Sequence, residues 1–144
     1  MAFQPVVNVC VALHREGRWL LIRRHPDLPH AGGQLAVVGG KLEDGGAVDV
    51  LEATARREAA EEIGVDLSGV ELRYVESDFF VSDTGAPVVN VVFAAELPDG
   101  AEPYPAAPAE VSEIRWHTRQ EVESSVAEPW TVRQIRRAEA VLAP

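Results

Sequence analysis

The chain carries one cysteine, Cys10, so it can form no internal disulfide and no zinc or iron–sulfur centre that needs several thiolates. That scarcity suits a reducing compartment. Positive charge is also short: 13 Lys and Arg stand against 23 Asp and Glu, a formal charge of −10. Phosphate-backbone polymers are normally met by a basic stripe, so no nucleic-acid polymer is expected as a partner. A small polyphosphate stays open if a divalent cation sits between the two negative bodies. Membrane-spanning apolar runs are missing too. The run Val6 to Leu13 is interrupted by Asn8, has no basic leader and is far too short to cross a bilayer. A cytoplasmic protein without a membrane partner is the expectation. No internal repeat of roughly 20–50 residues occurs, and the only biased stretch is Pro98 to Pro108, with four prolines.

What is present reads as one domain over residues 1–144. Apolar residues make up 47% and charged residues 25%, ordinary globular usage. A chain of 144 residues buries roughly two thirds of its unfolded surface without cross-links. Val6 to Leu13 and Trp19 to Arg23 read as strands joined through Arg15-Glu16-Gly17, an opening hairpin. A loop from His25 to Gly33 follows, and Leu35 to Val38 reads as a short strand that ends in a turn at Gly39-Gly40.

Asp49 to Gly64 carries the clearest helix signals. Asp49 and Glu52 have the spacing of a capping box, and Gly64 supplies a left-handed stop. Leu51, Ala55, Ala59 and Ile63 recur every four residues, a stripe that can dock on a sheet. Val70 to Val81 and Val88 to Leu97 read as a second hairpin about the turn Ser82 to Pro87. A short strand near Ile114 to His117 and a helix opened by Pro129, with Val132, Ile135, Ala138 and Leu142 on one face, complete the chain. Two helices and about six strands, with adjacent antiparallel pairs, predict an α+β fold with helices on the sheet faces.

Glu58, Glu61 and Glu62 stand at i, i+3 and i+4 and project within one sector of that first helix. Like charges at these spacings each cost a few tenths of a kcal/mol, and the last helical turn disfavours anions. A hard divalent cation held by carboxylate oxygens offsets the repulsion; a solvated acidic face is the alternative. Arg57 can pair with Glu61 at i+4 and hold it in position. Gly39-Gly40 lets the backbone come close to a metal or phosphate, since glycine has no side chain. His14, His25, His30 and His117 share no ligand spacing and receive no role.

The segments Gly39-Gly40-Lys41-Leu42-Glu43 and Arg57-Glu58-Ala59-Ala60-Glu61-Glu62-Ile63-Gly64-Val65 resemble the box of the Nudix (MutT-type) hydrolase family. The likeness extends through the opening hairpin and to Glu113-Ile114-Arg115-Trp116, most of the chain. Gly40 and Arg57 are 17 positions apart, three more than in the usual box. The family's first glutamate is therefore replaced by Gly46 counting forward, or by Asp49 counting back, the latter preferred as a helix cap. Val37-Val38 stands where many relatives have an aromatic residue and a proline.

The resemblance implies an α/β/α sandwich with a mixed sheet and about two main helices. It implies a pyrophosphohydrolase using Mg2+, with Mn2+ as a substitute, that cleaves a phosphoanhydride bond in a nucleoside triphosphate or a nucleoside-diphosphate-linked small molecule. On that reading Glu58 and Glu62 are the main metal ligands, Glu61 and the Gly40 carbonyl contribute, and Arg57 orients them. Glu61 or Glu110 takes the proton from water, and sequence does not choose between them. Arg23 and Arg24, leaving a strand that faces the glycines, are candidates for phosphate or nucleotide. The rival reading is a Nudix-like domain that binds or senses a nucleotide without cleaving it. Trp130 and the last helix can pack on the core or form a homodimer surface.

Overall fold

A computed structural model describes residues 3–43 and 48–143. Strands β1 (Val6–Arg15) and β2 (Arg18–Arg24) form the opening hairpin. Its two-residue turn has positive φ at both Glu16 (52°) and Gly17 (77°), the backbone twist that matches paired strands. The hairpin stays closed only from Leu13↔Leu20 to Arg15↔Arg18. Beyond that point its strands part, and the segment that follows fills the gap.

This separates the expected Leu35–Val38 strand into two. β3 (Leu35–Ala36) pairs with β2 and β4 (Val38–Lys41) pairs with β1, so the chain changes partner at Val37. Gly39 and Gly40 consequently lie inside β4, opposite Cys10 and Val9, and not in a turn as the sequence suggested.

The remaining elements are α1 (Val50–Ile63), β5 (Arg73–Val81), β6 (Pro87–Glu96), β7 (Val111–His117), α2 (Arg119–Glu123) and α3 (Pro129–Leu142). The sheet is mixed: β6 runs parallel to β1 over nine paired positions and antiparallel to β5, and β7 pairs antiparallel with β2. Strand alternation divides the core. Val9, Val11 and Leu13 face α1 together with Val38, Val91 and Phe93, whereas Cys10, Ala12, Val92 and Ala94 face Ile135 and Ala138 of α3. Each fully buried Val, Leu or Ile contributes about 1.5–3 kcal/mol, so both helices are fastened by their apolar stripes. Ala55, Ala59 and Ile63 are wholly buried, and Leu51 packs against them from the edge.

Four local expectations are corrected. Asp49 makes no side-chain cap: its backbone is left-handed (φ 56°, ψ 39°), and a capping side chain needs an extended residue to reach the first free N–H groups. β5 begins at Arg73 and not Val70, because Arg56 donates to the carbonyls of Leu67 and Val70 (3.3 and 3.0 Å) and holds that stretch as a loop under α1. β7 begins at Val111, three residues early. The described residues contain three helices and seven strands; the additional helix, α2, opens on a capping box made by Thr118 and Glu121. Gly64 does stop α1, with φ 67° and its N–H on the carbonyls of Ala59 and Ala60.

Candidate active site

The site is built where α1 crosses the free edge of β4. The Gly39 N–H donates to Glu62 Oε1 at 3.0 Å. A side chain on Gly40 would place its Cβ 2.3 Å from Glu58 Cδ and 2.4 Å from Oε1, so the Glu58 carboxyl occupies the space this glycine leaves. Neither glycine has a left-handed φ; close approach, not turn conformation, requires them. Glu58 and Glu62 are 7% and 4% exposed, rare burial for ionisable groups one helical turn apart.

Their titration reflects that burial. Burial pushes the Glu58 carboxyl from its ordinary 4.5 to about 7, against the pull of Arg57 and with the added push of Glu61, Glu110 and Glu43. Burial drives Glu62 to about 8; the Gly39 hydrogen bond and Arg24 oppose it, while Glu58 and Glu110 add to it. Glu110, whose own side chain is exposed, thus lies near enough for its charge to act on both buried acids.

The loop that brings Glu110 there is the proline-rich stretch, docked on the end of α1. Tyr104 and Ala106 donate their N–H groups to the carbonyls of Ile63 and Glu62 at 3.1 and 3.0 Å, meeting acceptors the helix end leaves open. The Glu110 carbonyl in turn accepts from His25 N at 2.8 Å, linking this loop to the one after β2.

Arg57 fastens the helix to the far end of β4. One nitrogen, Nη2, donates to the Lys41 carbonyl at 2.8 Å; the other, Nη1, stands 3.2 Å from Glu58 Oε1 and 3.4 Å from Glu61 Oε2. Glu43 is 3.6 Å from the same Nη1. Glu61 is exposed and turned toward this guanidinium, so of the three acids two face the glycines and one faces solvent. Among the described residues no three His, Cys, Asp or Glu side chains stand together in an arrangement that could hold a metal ion.

The two arginines at the end of β2 part company. Arg23 forms a cross-strand ion pair with Glu113 (Nε to Oε1, 2.6 Å) and donates to the Gly33 carbonyl at 2.9 Å, which commits it to the sheet. Arg24 holds the His30 carbonyl at 3.0 and 3.2 Å, and its charge is felt by Glu62. Val38 and Val37, the pair at the aromatic-proline position, are buried on opposite faces. Gly46 and the stretch around it lie outside the described residues, so the replacement of the first glutamate has a structural account only at Asp49. The Gly39 amide as a partner of Glu62 escaped the sequence reading. The glycine pair marked the place, but which group approaches it depends on β4 pairing with β1.

The chain matches the family model described as NUDIX domain over residues 3–138. Among solved structures it is similar to a MutT NUDIX hydrolase from Burkholderia pseudomallei (24% identity, TM-score 0.77, 93% of this chain and 98% of that one). It is also similar to a MutT protein from Methanosarcina mazei Go1 (19%, TM-score 0.78, 97% of each chain). A third similar structure is the NUDIX domain of Shewanella oneidensis NrtR complexed with ADP ribose (23%, TM-score 0.74, 97% of this chain and 90% of that one). No curated protein sequence matches the chain. Among the described residues no helix is long and apolar enough to cross a membrane.

Proposed function

The chain belongs to the NUDIX family and is thereby a hydrolase of pyrophosphate bonds, and from that premise we propose that it is a magnesium-dependent enzyme acting on a nucleoside triphosphate or a nucleoside-diphosphate-linked small molecule. The carrying observation is the pair Glu58 and Glu62, buried against Gly39 and Gly40 at a cost that raises both carboxyls into the neutral range.

Hard carboxylate oxygens suit Mg2+ over softer ions, and a pair that burial protonates is the kind of donor set that a dication returns to its charged form. Glu58 and Glu62 would hold the ion with the Gly40 carbonyl assisting, and Glu61 would join them only by turning from Arg57. Bound there, a divalent cation supplies charge neutralisation on the diphosphate and a more acidic water. Arg57 keeps Glu58 and Glu61 in place through its anchor on Lys41. Water adds to phosphorus, the bridging P–O bond breaks, and Glu61 or Glu110 takes the water's proton. Arg24, whose charge reaches Glu62 and which makes no ion pair among the described residues, is better placed for phosphate than the ion-paired Arg23.

Glu62→Gln tests this. It keeps the Gly39 hydrogen bond acceptor and removes the charge, so magnesium-dependent phosphate release from a panel of triphosphates, sugar nucleotides and dinucleotides should fall by at least ~100-fold with an unchanged fold. Undiminished release overturns the reading. Binding of nucleotide without release by the unaltered chain would instead favour the sensing role.

A further inference from the structure

Glu110 reaches the buried acids on a loop whose sequence limits how it can be held. In Glu102-Pro103-Tyr104-Pro105-Ala106 the prolines supply no N–H, and each biases the residue before it toward extended backbone. Alternate amides of an extended stretch point the same way, and the two that remain, on Tyr104 and Ala106, both go to the end of α1. Tyr104 N donates to the Ile63 carbonyl at 3.1 Å and Ala106 N to the Glu62 carbonyl at 3.0 Å. Glu62 thus holds the loop through its carbonyl while its carboxyl accepts from Gly39. The chain then turns at Ala107, whose carbonyl accepts from Glu110 N and Val111 N at 2.9 and 2.8 Å, and the Glu110 carbonyl accepts from His25 N at 2.8 Å. With so short a path from Ala106 to Glu110, a shift of the loop on α1 carries through to the carboxylate.

The Tyr104 ring adds a further hold. A Cβ on Gly64 would stand 2.3, 2.9 and 3.1 Å from Tyr104 Cε1, Cζ and Cδ1, so the ring lies on the face of Gly64 where any other residue carries its side chain. The left-handed φ of 67° accounts for a glycine as helix stop, but asparagine also serves at such stops and would leave the ring no room. Two hydrogen bonds to neighbouring carbonyls leave a segment free to swing about the line through them. A ring seated on the next residue is a third point of attachment. Tyr104 is 57% exposed, so its burial contributes little to the core.

We propose that Tyr104 is a positioning residue for the hydrolytic reaction: by seating its ring on Gly64 it fixes the loop that carries Glu110, and with it the reach of that carboxylate toward Glu58 and Glu62. The inference rests on the hydrolytic reading above and deepens it, since it makes the rate depend on an exposed ring outside the acid cluster.

Amide hydrogen exchange of the metal-free protein reads the seating apart from catalysis. Tyr104→Ala should speed exchange at Ala106 by at least about tenfold, while the buried strand residues Val11 and Val92 keep their rates and thermal melting stays near that of the parent. Its magnesium-dependent phosphate release should fall at least about tenfold in kcat with KM within about twofold, the pattern of a displaced reacting group. Tyr104→Phe, which keeps the ring, should recover both the slow exchange and the rate. Gly64→Asn, which tolerates the left-handed backbone but plants a Cβ beneath the ring, should reproduce the losses of Tyr104→Ala and stands in for it should that variant not fold. In a Glu110→Gln background Tyr104→Ala should lower the rate no further, because the two act as one unit. Parent values for either the Ala106 exchange or kcat in Tyr104→Ala overturn the proposal, as does full additivity with Glu110→Gln. Failure of Glu62→Gln to lower phosphate release would remove the hydrolytic reading, whereas an inactive Glu62→Gln beside an unimpaired Tyr104→Ala removes this proposal alone.

Discussion

Gly40→Ala isolates the close approach on which the candidate site is built. The new Cβ would lie 2.3 Å from Glu58 Cδ, whereas ordinary contact begins near 3.4 Å, so the carboxyl must retreat by about 1.1 Å (3.4 − 2.3). The three nearest atoms all belong to the far end of the Glu58 side chain, which can swing without moving backbone. The φ of Gly40 is not left-handed, and a compatible Gly→Ala change recovers about 0.4–1 kcal/mol from the unfolded chain. The fold should therefore lose no more than about 1 kcal/mol. A reacting group misplaced by about 1 Å can cost about 100-fold in rate. The expected outcome is a melting temperature within a few degrees of the parent and magnesium-dependent phosphate release down by at least tenfold. Gly39→Ala provides the contrast: its Cβ would meet the Val9 carbonyl at 2.6 Å and Cys10 Cα at 3.0 Å, backbone that cannot yield, so stability should fall by more than about 2 kcal/mol. Phosphate release by Gly40→Ala within threefold of the parent, with its fold intact, refutes the argument.

The protonation of the buried acids gives a second expectation. Their folded-state carboxyls titrate at about 7 and about 8 against an ordinary 4.5, so the folded protein binds more protons than the unfolded chain across that window. Stability contributed by Glu58 and Glu62 is therefore present below about pH 4.5, declines as pH rises, and is level again above about 8. Metal-free melting curves should show Glu62→Gln gaining on the parent between pH 5.5 and 8.5; a constant difference refutes the assignment. Added Mg2+ should raise the melting temperature of the parent more at pH 8.5 than at pH 6, since ligands must shed protons to bind it; equal shifts would count against Glu58 and Glu62 as ligands. Among the described residues, Arg133→Ala leaves the Glu76 side chain, 2% exposed, with only Arg137 at 3.7 Å. Removing one partner of a buried pair costs about 3–5 kcal/mol; with Arg133 partly exposed, a loss of about 2–4 kcal/mol should register in urea unfolding, and a loss under 0.5 kcal/mol would show that Glu76 finds another partner.

The parts of this molecule that follow from short stretches of chain could be read without coordinates. Glu16-Gly17 sets the first turn, the four-residue recurrence of Leu51, Ala55, Ala59 and Ile63 sets the docking face of α1, and Gly64 ends it. α2 was also legible in principle, since Thr118 and Glu121 have capping-box spacing, but at five residues it has no apolar period to draw attention. The Asp49 cap failed for the opposite reason: the spacing was right, but the approach of the chain to α1 turned its backbone left-handed.

Helical spacing is a local geometric rule, so the order of residues alone places three acids and an arginine on neighbouring positions of one helix, next in line to a glycine pair. What each does with that position depends on contacts between distant segments. The parting of β1 and β2 admits β4, β4 sets Gly39 and Gly40 against α1, and the space without side chains takes in Glu58 and Glu62 while Glu61 stays outside with Arg57. The pairing of β2 with β7 commits Arg23 to Glu113, and the loop docked on the end of α1 carries Glu110 to where its charge acts on both buried acids. Burial and strand register are properties of contacts far apart in the chain, and a carboxylate's chemistry depends on them as much as on its place in a motif.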